Sequence, residues 1–145
     1  MKVTLDANVV LAARDRAEPH FDNSVRCLQN LFRCGTEIHC PWLTITETAV
    51  TVGRKTRNPR YAARAVAALR QLPNCIFHDL DEATALVAAD LAGRLFLRGA
   101  DAVYAAVAKR SASSLISLDE ELCRRAENEV PCFTPARWLR ENPAS

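Results

Sequence analysis

Four carboxylates in this chain border apolar sequence instead of lying on a polar face. Asp6 follows Lys2-Val3-Thr4-Leu5, and Glu47 is embedded among Ile45, Ala49 and Val50. Asp101 heads the small-residue run Asp101-Ala102-Val103-Tyr104-Ala105-Ala106, and Asp119 follows Leu115-Ile116-Ser117-Leu118. Carboxylates gathered in one pocket repel, and burial raises the cost of each charge. A divalent cation resolves that conflict. Oxygen-only ligation by carboxylates and water suits magnesium or manganese, whereas zinc prefers His or Cys. Such an ion activates water and steadies the oxygens of an in-line displacement at phosphorus. Asn8 and Ser117 lie close enough in sequence to orient ligands or water.

Each acid also has a local role open to it. Asp6 can initiate a turn, and Asp101 or Asp119 can cap a helix. Glu47 fits a capping box in Thr44-Ile45-Thr46-Glu47. The elements that carry the acids weigh against four unrelated caps. Lys2 to Leu5 alternates as a strand, and the chain then turns at Asp6-Ala7-Asn8. Val25, Leu28, Leu31 and Phe32 give helical spacing over Asp22–Arg33, with Gly35 as its stop. Ile38 to Cys40 reads as a second strand ended by Pro41. Thr44–Lys55 reads as a helix with Ile45, Ala49 and Val52 on one face.

Asn58-Pro59 starts the next helix, whose buried stripe is Ala62, Ala65, Val66, Leu69 and Leu72. Cys75 to Phe77 is a third strand, and Asp81 caps a helix through Leu86, Ala89, Gly93 and Leu97. Gly99-Ala100-Asp101 opens a helix with Val103, Ala106 and Val107 inward. Leu115–Leu118 is a fourth strand, followed by a short helix carrying Leu122. A fifth strand lies near Val130–Phe133, and Pro135 starts a last helical turn with Trp138 and Leu139. Short apolar strands alternating with helices predict an α/β fold, a parallel sheet covered by helices on both faces. Ligands of such sheets sit beyond the carboxyl ends of the strands. Asp6 and Asp119, both directly after strands, then emerge at the same edge.

The bulk composition bounds the remaining possibilities. A chain of 145 residues, nearly half apolar, is long enough for one substantial core and excludes a disordered or collagen-like protein. No apolar run reaches the roughly 20 residues that span a bilayer, and no signal-like stretch follows Lys2, so a cytoplasmic protein without a membrane partner is expected. A net charge of +2 does not by itself indicate nucleic acid. The preference for Arg over Lys is more informative, because a guanidinium offers phosphate a planar fork. Arg14, Arg54, Arg57 and Arg98 are the candidate RNA-binding residues, although a GC-rich genome also enriches Arg and Ala. Six cysteines without C-x-x-C spacing, dispersed among apolar residues, read as buried free thiols. His39-Cys40 is too small a cluster to indicate zinc.

The acid motifs together resemble those of the PIN-domain family over essentially the whole chain, 1–145. Leu5-Asp6-Ala7-Asn8 resembles the family's opening strand and Asp, and Glu47 matches its acid on the third helix. The segment from Gly99 to Ala108 resembles the central motif, an Asp leading an alanine-rich helix. Leu115 to Leu122 resembles the last motif, with Ser117 where Thr is commoner and Leu122 where an aromatic is frequent. The order and spacing are most similar to VapC-type toxins. That resemblance implies a magnesium- or manganese-dependent endoribonuclease in which Asp6, Glu47, Asp101 and Asp119 are catalytic and bind the metal. It further implies a homodimer inhibited by a cognate antitoxin. Two other outcomes fit the same motifs: a PIN-like module that binds RNA or protein without cleaving it, and a housekeeping nuclease with no antitoxin. A dehalogenase-type phosphotransferase needs a second acid at position 8, where Asn8 cannot exchange a proton. A receiver domain needs an acidic pair at the first strand and a Lys after a late one, and neither is present.

Overall fold

The computed structural model describes residues 1–143, in which five parallel strands form one sheet flanked by eight helices. The chain begins with β1 (Lys2–Leu5), α1 (Ala7–Ala12), α2 (Phe21–Arg33), β2 (Glu37–Pro41) and α3 (Leu43–Thr56). It continues through α4 (Pro59–Arg70), β3 (Cys75–His78), α5 (Glu82–Leu95) and α6 (Gly99–Ser111). It finishes with β4 (Ser114–Ile116), α7 (Glu120–Ala126), β5 (Cys132–Phe133) and α8 (Pro135–Glu141). The sheet order is β3-β2-β1-β4-β5, so the chain leaves β1 toward one edge and later returns to its other side. The crevice between β1 and β4 is therefore the switch point of the sheet, where open α/β folds bind ligands.

Each face of the sheet is covered because successive strand residues point to opposite sides. Val3, Leu5, Ile38 and Ile116 pack with α1, α2, α4 and α8 through Val9, Leu31, Leu69 and Trp138. Leu115 packs on the other face against Tyr104 and Ala108 of α6 and Leu122 of α7. Helix α6 is buried from Ala102 through Ala108, with α5 closing over its outer side through Ala88 and Leu91. This central position explains its alanines: small side chains let the helix lie close to strands and helix alike. The expected inward residues Val103, Ala106 and Val107 are all buried.

Several local expectations are corrected. The turn at Asp6-Ala7-Asn8 is the start of α1, because Val9 and Val10 can enter the core only if the chain coils immediately after β1. Pro41 closes β2 from within and pairs with His78 of β3. The fourth strand ends at Ile116, so Ser117 and Leu118 separate it from Asp119. The expected capping box is not formed. Helix α3 starts at Leu43 without a side-chain cap, and it buries Thr44 and Thr48 in preference to the Ile45, Ala49 and Val52 face. Along α5, Leu86 and Ala89 are exposed, because the helix packs through Thr84, Ala88 and Leu91.

The cysteines also depart from six buried free thiols. Cys123 of α7 and Cys132 of β5, with Cα atoms 4.9 Å apart, form a disulfide, and Cys34 is exposed. Short-range docking of α7 on β5 brings that pair within the ordinary disulfide span. Buried His39 is satisfied between Glu37 (2.8 Å) and His78 (2.7 Å). Among the described residues no helix is long and apolar enough to cross a membrane.

Candidate active site

The residue after β1 is held most tightly. Asp6 is 5% exposed and caps α1 by accepting the Asn8 backbone N–H at 3.2 Å through Oδ1. Its Oδ2 accepts the Ser117 hydroxyl at 2.7 Å and the Asn8 amide at 3.1 Å. Asn8 Oδ1 in turn accepts the Leu118 N–H at 3.0 Å, and Ser117 Oγ accepts the Asp119 N–H at 3.1 Å. The two residues expected to orient ligands thus stitch the end of β1 to the segment after β4. Burial is the main force on Asp6, pushing its pKa up to about 6 against the Ser117 and Asn8 bonds, with Asp101 and Asp119 adding repulsion.

Glu47 reaches the same region from α3. Burial, then repulsion from Asp6 and Asp101, raises its pKa to about 7. Its Oε2 is 3.5 Å from the Tyr104 hydroxyl, the outer limit of a hydrogen bond, and its Oε1 is buried with no partner. Tyr104 is fixed more firmly by its other contacts: its hydroxyl donates to Thr44 Oγ1 at 3.0 Å and accepts the Ala7 N–H at 3.4 Å. Tyr104 therefore ties α6 to both α1 and α3, a role sequence reasoning missed. The available signal was its place three residues after Asp101, the one polar-tipped side chain in an Ala- and Val-rich turn.

Asp101 lies in the first turn of α6, where negative charge suits the helix dipole, but it is not the cap residue. Asp119 is the cap of α7, accepting the Leu122 N–H at 3.0 Å through Oδ1. The free oxygens of these two acids share one cation. Arg98 donates from Nε to Asp101 Oδ2 and from Nη2 to Asp119 Oδ2, both at 3.0 Å. Read from sequence as an RNA-binding residue, Arg98 in this structure bridges the acids. Arg14 is exposed in the segment after α1, while Arg54 and Arg57 are exposed at the far end of α3. No group of three or more His, Cys, Asp or Glu side chains among the described residues lies close enough to form a ready-made metal cage. The acids lie close enough to repel one another, and their oxygens are engaged, those of Asp6 by Ser117 and Asn8, and those of Asp101 and Asp119 by Arg98.

The donor chemistry nevertheless fits a hard divalent cation. All the convergent groups are oxygens, Asp6 and Glu47 are raised by burial and then by the charge of neighbouring carboxylates, and Glu47 Oε1 is a buried acceptor with nothing to accept.

The PIN domain family model matches residues 3–128. No curated protein matches the chain. Among solved structures, VapBC2 of Rickettsia felis, bound to a DNA fragment from its promoter, is similar with a TM-score of 0.72 at 14% identity, covering 92% of this chain and 98% of the other. FitAcB of Neisseria gonorrhoeae gives 0.71 at 21% identity, with 92% and 98% covered. VapC20 of Mycobacterium tuberculosis, described as a sarcin-ricin loop cleaving toxin, gives 0.68 at 16% identity, with 83% and 92% covered. At these identities the likeness is one of fold.

Proposed function

The chain belongs to the PIN-domain family, and on that footing we propose that it is a magnesium- or manganese-dependent endoribonuclease, the toxin of a toxin–antitoxin pair. The observation that carries the reading is the convergence of Asp6, Glu47, Asp101 and Asp119 from four separate elements beside the β1–β4 switch point. Simple helix capping accounts for neither Glu47 nor Asp101. Neighbours in fold lend support, since VapC20 is described as a toxin that cleaves the sarcin-ricin loop.

In this reading Asp6, Asp101 and Asp119 hold the metal, and Glu47 is a further ligand or positions the attacking water. A bound divalent ion supplies a polarised water at neutral pH and a counter-charge for the phosphate oxygens. Ser117 and Asn8 keep Asp6 in one rotamer, so its lone pairs face a fixed point. Glu47, whose Oε1 is buried without a hydrogen-bond partner, is the acid left to accept a proton from water. Arg98 neutralises Asp101 and Asp119 when no cation lies between them, and its 79% exposed side chain is free to swing toward a phosphate instead. A second copy of the chain, which the family resemblance implies, belongs to this reading, and exposed apolar side chains such as Leu86 and Phe96 are available to its interface.

The partner follows from the same charge pattern. An acidic centre attracts a basic segment, and an antitoxin that fills it with Arg or Lys displaces metal and excludes substrate. Expression of this chain alone and with its neighbouring gene tests the reading. Growth arrest that requires Asp6 and is relieved by a co-purifying product of that gene is the expected outcome. Harmless expression of an active nuclease with no partner counts against the toxin assignment.

A further inference from the structure

Next to the acid cluster runs a groove of about 1070 Å³, bounded by α1 and the segment after it, the second half of α3 and the start of α4. Of the four acids Asp119 lines it, and Asn8, which hydrogen-bonds Asp6, lines it too, so one end of the groove adjoins the carboxylates. Its volume lies at the upper end of the roughly 300–1,000 Å³ range of ordinary ligand pockets, room enough for a stretch of polymer. A polymer positioned at the carboxylates must continue along some surface, and this one adjoins them.

The chemistry of the walls narrows the occupant. Tyr61, at the start of α4, is 50% exposed, and the Arg64 guanidinium lies 5.9 Å from its ring centroid. A half-exposed ring with a cation over one face offers its other face as a stacking platform. Arg14 stands on the opposite wall, and Lys55 is tied across the groove to Asp15. Glu18 and Asp119 also line the groove, so its positive charge is local to Arg14 and Arg64, matched to a few phosphates instead of the continuous backbone of a duplex. Binding without a duplex combines aromatic stacking with flanking cations, and stacking contributes ~1–3 kcal/mol per base.

We propose that this groove seats the single-stranded RNA next to the cleaved phosphate, one unpaired nucleobase stacking on Tyr61 while Arg14 and Arg64 hold its phosphates. The proposal names the substrate contact of the nuclease reading and rests on it. It makes Tyr61 and Arg64 binding residues and assigns them no part in bond breaking.

Affinity for a labelled single-stranded RNA oligonucleotide, measured by fluorescence anisotropy in an Asp6→Asn background that suppresses turnover, tests it. Tyr61→Ala is expected to weaken binding about tenfold, the equivalent of ~1.4 kcal/mol. Tyr61→Phe and Tyr61→Trp, which keep a ring, are expected to bind as Tyr61 does, and the matching duplex to compete poorly. In the otherwise unmodified chain, Tyr61→Ala is expected to raise KM with kcat nearly unchanged and the melting temperature unmoved. Unaltered RNA binding by Tyr61→Ala overturns the proposal. So does a Tyr61→Ala variant that keeps RNA but loses a co-purifying protein partner, because the groove is then a peptide seat. Tyr61-dependent RNA binding by a chain that never cleaves supports the groove and removes the nuclease reading. Cleavage indifferent to Tyr61 does the reverse.

Discussion

Asparagine at position 6 is expected to lower RNA cleavage by on the order of 10³-fold or more while leaving the protein folded, a loss of ~4 kcal/mol in transition-state stabilisation. Asp6 is the most buried of the four acids and the one whose two oxygens are both fixed by neighbours. Asn keeps the shape of the side chain. Its oxygen can still accept the Ser117 hydroxyl, but its NH2 group then faces the Asn8 N–H, and that capping bond is lost. The loss costs about 1 kcal/mol. Removing a buried charge whose pKa stands at about 6 offsets it. Asp101→Asn is expected to behave alike, since Asp101 caps nothing through its side chain. Steady-state cleavage together with circular dichroism checks both variants. Collapse of the fold in each would support purely structural acids, and wild-type turnover in each would remove them from the mechanism.

The second large effect concerns stability without metal. Glu47→Gln is expected to stabilise the chelator-treated protein by about 1–2 kcal/mol at pH 8, read as a higher urea midpoint. Its folded-state pKa is raised from the ordinary 4.5 to about 7, chiefly by burial. A raised carboxyl contributes stability that is fully present below pH 4.5 and is lost as the pH rises through about 7. At pH 8 the wild-type chain has lost it, whereas the uncharged Gln has not. The gap is therefore expected to close as the pH falls toward 4.5. Glu47 is only half-buried, so solvent screening keeps the gain below the full pKa equivalent. A Gln variant equal to or less stable than wild type at pH 8 would show that the folded protein does not penalise the Glu47 charge.

The sequence revealed the acids more clearly than their surroundings. Asp6 was legible because an apolar strand delivered it, and Asp101 because a run of alanines demands a crowded, central helix. Parallel order followed from strand and helix alternation, and with it the common edge for Asp6 and Asp119. What the sequence hid was tertiary. Helix α1 has only six residues, and its Val9-Val10 pair reads equally as strand or turn until both sides of the β1 end are known. The apparent capping box at Thr44 was a coincidence of residue types, because Thr44 faces Tyr104, 60 positions away, and leaves Glu47 free for the site. Arg98 has local spacing to Asp101, but its second partner, Asp119, comes from beyond β4. Cys123 and Cys132 lack any spacing motif and meet only when α7 docks on β5. Tyr61 and Arg64 belong to a helix stripe that looks like ordinary solvent surface, and only the packing of α4 on α3 makes that surface a wall.

The most direct measurement of the central claim is cleavage of single-stranded RNA by the purified chain before chelation, after exhaustive chelation, and after adding back magnesium or manganese. The oxygen-only donor set of Asp6, Glu47, Asp101 and Asp119 is expected to give cleavage that disappears with the metal and returns with either ion. Cleavage that persists through exhaustive chelation, or RNA left intact under every metal condition, would contradict it.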